Sequence, residues 1–306
     1  MRAIPVLVTA ALGIIGVEVV LHNPMQQGDP QFDPRVAKPA YPTTHPRVYF
    51  DESHWKENLY QPFLDLIRND GYSVSRHGGL LTRESLEGTD VLVLPIVMGF
   101  QEGAKTLPGL GHHLKGDAFT PEECAAVKNW VDSGGSLLLA ADYAPTARSA
   151  NTLARQFGVT LLDGWAVEPY DHDPVTGRQG FIVFSRENGQ LLEHPITLGV
   201  NRVISFTGQA MLFPPAATPF LKLSPDALVA PYREGRPQMK PAPAPGAAQG
   251  VALESGRGKA VILGESTILT AVEVRANNSA QHYGMSHANC DDRQLTLNIM
   301  HWLSRR

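Results

Sequence analysis

Apolar and polar positions in this chain alternate in short runs that favour strands and helices in turn. Residues 47–50 (RVYF) read as a short buried strand closed by Asp51. In residues 58–69 (NLYQPFLDLIRN), Leu59, Phe63, Leu66 and Ile67 share one helical face. Asp70-Gly71 ends that helix, because glycine readily takes the left-handed conformation just past a helix C-terminus. Residues 72–76 then resume as a strand. Residues 90–97 (DVLVLPIV) are nearly all apolar, the pattern of a strand buried on both faces of a parallel sheet. Thr120-Pro121-Glu122-Glu123 carries helix-start signals: Thr as N-cap, Pro in the first turn, Glu closing a capping box. That helix is expected to reach about Ser133, where Gly134-Gly135 breaks it before a buried strand at residues 136–141 (SLLLAA). Strand, helix, strand, strand, helix, strand predicts a doubly wound, mostly parallel α/β sheet of flavodoxin-like shape.

Residues 146–157 predict a further helix, with Leu153, Ala154 and Phe157 inward. Over residues 158–232 the pattern changes. Short β-like runs at 181–184 (FIVF) and 203–206 (VISF) alternate with Pro and Gly turns, as in a β-rich insertion. Residues 233–249 (REGRPQMKPAPAPGAAQ) lack a core-forming pattern and read as a mobile loop. Residues 251–254 and 259–264, joined by Ser-Gly-Arg-Gly, read as a hairpin. A last helix starts near Asp291 or Asp292, either of which suits an N-cap, and turns Leu295, Ile299 and Trp302 inward.

The N-terminus carries an address. Arg2 precedes an apolar run at residues 3–17, and Glu18 is its first charge. This reads as a signal peptide or signal anchor over residues 1–22. The run to Leu21 approaches the ~20 residues that span a bilayer, and no small-x-small cleavage site follows, which favours the uncleaved anchor. Residues 23–46, rich in Pro, Gln and Asp, read as an extended tether to a folded domain over residues 47–306. The expected location is the cell envelope, membrane-anchored or periplasmic/extracellular, with the membrane contacted through the N-terminal segment. A hydrophobic fraction of 43% and a charged fraction of 18% fit a globular domain. The net charge of -4, with no basic stripe, argues against a nucleic-acid partner. Cys124 and Cys290 are compatible with one disulfide or with two free thiols.

Ligands of open parallel sheets bind outside the carboxyl ends of the strands. Asp51 follows the first strand with His54 close behind, Asp142 follows the strand at 136–141, and Glu265 follows the strand at 259–264. Asn289 and Arg293 flank the start of the last helix. These six residues are expected to line one cleft, Arg293 offsetting the like charge of the carboxylates. Asp51 and Asp142 also suit helix N-caps. Asp171-His172-Asp173 has metal-ligand residue types, but neighbours on one irregular loop do not complete a site, and His112-His113 suits a solvated loop. No metal and no cofactor is expected. The chain lacks a Gly-x-Ser-x-Gly or Gly-x-Cys-x-Gly elbow, a Walker pattern and a dinucleotide fingerprint, which argues against an acyl-enzyme mechanism through Ser or Cys.

Residues 48–54 (VYFDESH), 130–142 (WVDSGGSLLLAAD) and 289–303 (NCDDRQLTLNIMHWL) carry a family likeness. Together they resemble exported bacterial proteins of unknown function with a class I glutamine amidotransferase-like domain, over most of residues 47–303. That family is similar in turn to the sugar-binding type of domain in gliding-motility and intraflagellar-transport proteins. The resemblance implies a flavodoxin-like fold and ligand or carbohydrate binding; it supplies no catalytic residue, because no strand here ends in the amidotransferase cysteine. Two functions follow as expectations. The first is a non-catalytic module that binds a small molecule or glycan. The second is a hydrolase with paired carboxylates among Asp51, Asp142 and Glu265, for which a separation of ~5–9.5 Å across an open cleft suits glycoside hydrolysis.

Overall fold

The computed structural model describes residues 26–53, 58–96, 117–142, 147–233, 236–237, 240–276 and 279–304. The segment at residues 3–21, His54 and His112-His113 lie outside the described residues. Among the described residues no helix is long and apolar enough to cross a membrane.

Strand β1 (Gln26–Gly28) precedes β2 (Arg47–Asp51). A 3-10 turn at Asn58–Tyr60 leads into α1 (Gln61–Asn69), followed by β3 (Ser73–His77), β4 (Val91–Leu94), α2 (Pro121–Asp132), β5 (Ser136–Ala140) and α3 (Ala147–Arg155). Short strands follow: β6 (Thr160–Leu161), β7 (Trp165–Val167), β8 (Phe181–Ser185), β9 (Arg202–Phe206), β10 (Met211–Leu212), β11 (Thr218–Lys222), β12 (Leu228–Ala230), β13 (Tyr232–Arg233), β14 (Arg236–Pro237) and β15 (Ala242–Pro243). The chain then runs through β16 (Ala248–Ser255), β17 (Gly258–Leu263), β18 (Ala271–Ala276), β19 (Ser279–Gly284) and α4 (Asp292–Leu303).

The main sheet is mixed. Its order is β3-β2-β4-β5-β17-β16-β10-β6, with β11 also on β16. The strands from β3 to β17 run parallel; β16, β10, β6 and β11 are joined antiparallel. Alternation along each parallel strand builds two cores, because successive side chains leave opposite faces. Val48, Phe50, Val91, Val93, Leu138, Val261 and Leu263 face α1 and α4. Tyr49, Leu92, Leu94, Leu137, Leu139 and Ile262 face α2 and α3. Helices therefore cover both faces, which is why residues 91–94 and 136–140 are apolar throughout. The apolar run at 90–97 yields a strand only to Leu94, where Pro95 cannot donate to the ladder.

Helix α2 starts with the expected capping box: Glu123 N donates to Thr120 Oγ1 at 3.2 Å and Thr120 N donates to Glu123 Oε2 at 3.0 Å. The last helix does not use its expected cap. Asp291 makes no side-chain cap bond; its Oδ2 accepts the amides of Asn201 (2.8 Å) and Arg202 (3.1 Å), and Asp292 Oδ1 accepts Ile204 N at 3.1 Å. Both carboxyls thus anchor β9.

The segments read as an extended tether and as a mobile loop are packed where they are described. Residues 26–46 hold β1 against β18, bury Tyr41, and pack Phe32 and Val36 on the core. Ala40 N donates to Asp70 Oδ1 at 2.8 Å, and Tyr41 meets Tyr72 edge-on at 4.9 Å. Within residues 233–249, β15 pairs with β12, and Ala244 and Ala247 are buried. After β17, β18 and β19 pair antiparallel as a hairpin. Cys124 and Cys290 are free thiols.

Candidate functional site at the carboxyl edge of the parallel strands

Because β2, β4, β5 and β17 are parallel, their carboxyl ends share one edge. Asp142 lies two residues past β5 and Glu265 two residues past β17, and these strands are direct neighbours. The ladder continues beyond them, with Ala141 N donating to Leu263 O at 2.8 Å. Asp142 and Ser266 are thereby brought together: Ser266 Oγ donates to Asp142 Oδ2 at 2.8 Å. Glu265 is fully buried and accepts Thr267 N (2.8 Å) and Ile268 N (3.2 Å), which ties the turn after β17. Burial, followed by repulsion from Asp142, pushes the Glu265 carboxyl well above the ordinary carboxylate range, so its protonated form is favoured.

A second layer of buried polar groups, absent from the sequence reading, backs this pair. Thr207, immediately after β9, has φ 47°, a left-handed conformation that β-branched residues rarely adopt. Its Oγ1 and the Oε1 of Gln209 are buried and have no hydrogen-bond partner among the described residues. Gln249 Nε2 donates to Thr207 O at 2.6 Å, and Gln209 N donates to Gly264 O at 2.7 Å. Between them, Gly208 (φ 68°) passes so close to Glu265 that a Cβ there would lie 2.5 Å from the Glu265 Cβ. Strain and orphaned polar atoms cost stability and concentrate at functional sites.

Of the other expected site residues, those among the described residues stand apart from this pair. Asp51 shares the same edge, but β4 separates β2 from β5, a span of about 10 Å at ordinary strand spacing. It is buried and accepts Ser53 N at 3.2 Å. Asn289 lines a 430 Å³ depression with Arg186, Arg202 and Asp291. Arg293 donates to Arg35 O at 2.7 Å and lines a 600 Å³ depression with Asp29, His282 and Ser286. Among the described residues it makes no ion pair with Asp142 or Glu265. On α4, Asp292, Leu295 and Thr296 take the buried face, which leaves Arg293 to reach the N-terminal segment. The Asp171-His172-Asp173 trio diverges: Asp171 accepts Val183 N at 2.8 Å, Asp173 pairs with His287 Nε2 at 3.0 Å, and His172 is exposed.

No family model matches this chain, and no curated protein matches it. Its fold is nonetheless shared with solved structures. The mmIFT52 N-terminal domain aligns with TM-score 0.56 at 14% identity, over 85% of this chain and 98% of that one. Cytoplasmic Protein STM3548 from Salmonella typhimurium aligns with TM-score 0.51 at 18% identity, over 85% of this chain and 100% of that one. At these identities the likeness concerns the fold alone.

Proposed function

We propose that this chain is a cell-envelope domain that binds a small polar molecule or glycan at the carboxyl edge of its parallel strands, on a flavodoxin-like, glutamine amidotransferase-like winding. The carrying observation is the hydrogen-bonded Asp142–Ser266 pair on adjacent strands, backed by orphaned Thr207 and Gln209 oxygens and a left-handed threonine. Asp142 is the carboxylate nearer the surface, at 7% exposure against 0% for Glu265. That difference favours binding over a two-carboxylate hydrolase, in which both carboxyls must reach the substrate. The Glu265 carboxyl instead accepts the Thr267 and Ile268 amides and so tethers the turn that presents Ser266. The envelope location rests on Arg2 and the apolar run at residues 3–17. The glycan preference rests on the resemblance carried by residues 48–54, 130–142 and 289–303.

The test is a thermal-shift screen of the full chain against neutral and acidic sugars and other small polar molecules, with hits confirmed by calorimetry. Stabilisation that grows with ligand concentration is expected, and Asp142→Asn and Ser266→Ala should each weaken it at least tenfold while melting as the wild type does. Binding retained in full by both variants refutes the strand-end site. Turnover of aryl glycosides that Asp142→Asn abolishes would instead establish the hydrolase.

A further inference from the structure

Away from the strand-end edge, three metal-ligand side chains from separate stretches of sequence meet beside the N-terminal segment. Glu273 on β18 and His282 on β19 are direct cross-strand partners, so their side chains leave the same face. Strand β1 pairs with the other side of β18, placing Gln27 opposite Glu273; Asp29 follows, its amide donating to Ala271 O at 2.8 Å. One donor atom from each of Asp29, Glu273 and His282 lies within 4.8 Å of the others. Asp29 and Glu273 are 8% and 2% exposed, an unusual degree of burial for two neighbouring carboxylates.

We propose that Asp29, Glu273 and His282 bind one divalent transition-metal ion of the zinc class, which clips the N-terminal segment to the β18–β19 hairpin. One imidazole and two carboxylates are a ligand set that zinc accepts, with bonds of ~2.0–2.2 Å. Donors on a tetrahedron of that size stand ~3.4 Å apart, so small side-chain rotations suffice. His282 Nδ1 and Asp29 Oδ2 already stand 2.9 Å apart. The ion takes the place of the proton between them, and the imidazole proton moves to Nε2. Glu273 Oε1 accepts Gln27 Nε2 at 3.0 Å and Arg275 Nε at 2.6 Å; Oε2 has no hydrogen-bond partner among the described residues and is the oxygen left for the ion. Arg275 offsets part of the Glu273 charge and lowers the affinity below that of an uncompensated site.

A separate observation points to a ligand at the same place. Ser286 Oγ is buried and has no hydrogen-bond partner among the described residues. Ser286, Asp29 and His282 all line the 600 Å³ depression, which supplies an entry path and room for a water as fourth ligand within reach of Ser286 Oγ.

The experiment is zinc titration of the metal-stripped full chain, by calorimetry and by competition with a chromophoric chelator. One equivalent of zinc is expected to bind and to raise the melting temperature. His282→Ala and Glu273→Gln should each weaken binding at least tenfold. Asp33→Asn, an exposed carboxylate in the same depression, should change it less than twofold. Residues 26–46 should also resist proteolysis better with zinc than without. Absence of zinc binding by the wild type, or binding unaltered in both ligand variants, overturns the site. Should Glu273→Gln fail to fold, the half-exposed His282 decides the matter. None of these outcomes bears on ligand binding at Asp142.

Discussion

Asp292 offers a sharp test of how the last helix is held. It is fully buried at the start of α4, with Oδ1 accepting Ile204 N at 3.1 Å and Oδ2 without a hydrogen-bond partner among the described residues. Burial pushes its carboxyl from the ordinary 3.8 up to about 8. A carboxyl raised in this way is protonated in both states at low pH. Above pH ~4 it ionises in the unfolded chain but not in the native one, so stability is lost progressively until the pH passes the native value. At ~1.4 kcal/mol per tenfold change in proton affinity, the step from pH 5 to pH 8 costs ~4 kcal/mol if the whole rise holds. The positive end of α4 opposes the rise by up to ~2 kcal/mol, leaving on the order of 2 kcal/mol. Asp292→Asn keeps the shape and the Ile204 acceptor but cannot ionise. Urea unfolding of both proteins at pH 5 and pH 8 should therefore show the variant gaining at least ~2 kcal/mol on the wild type at the higher pH. The comparison cancels every other titrating group. A difference that stays constant within ~0.5 kcal/mol across that interval would refute the buried neutral carboxyl.

Thr207→Gly should relieve the left-handed strain and raise stability by ~1 kcal/mol in denaturant titration, while weakening any ligand held at the Asp142 edge. Gly208→Ala meets the Glu265 Cβ at 2.5 Å and should lower the melting temperature by several degrees, measured by calorimetry. Thr120→Ala removes the capping box of α2 and should cost ~1 kcal/mol in the same unfolding assay. Leu139→Ala opens a cavity between β5 and the α2/α3 layer and should cost ~3–5 kcal/mol.

The sequence pointed to the strand-end edge more plainly than to the β18–β19 hairpin. Asp142 and Glu265 could be placed on one edge from sequence because each follows an apolar run read as a strand of the core. Thr207, Gln209 and Gln249 gave no such signal, since they become notable only through a backbone angle, a missing partner and a bond to a carbonyl 42 positions away. The β18–β19 hairpin did carry a signal in the alternation Val272-Glu273-Val274-Arg275, which the polar run after it obscured.

Local chemistry alone determined the helix starting at Pro121, its capping box, and the apolar strands at 91–94 and 136–140. Those features depend on side-chain period, on the missing proline N–H and on a reciprocal bond three residues apart, all contained within a few residues of chain. Tertiary structure decided the rest. Residues 26–46 lack any period, yet they lie against the core because Tyr41 meets Tyr72 edge-on and Asp70 accepts an amide thirty residues away. Arg293 turned to Arg35, and Asp291 and Asp292 to β9, because the buried face of α4 and the open ends of distant strands fixed which acceptors were within reach. The pairing of Asp29 with His282, 253 positions apart, is set by the register of three strands, and register depends on which faces the whole chain succeeds in burying.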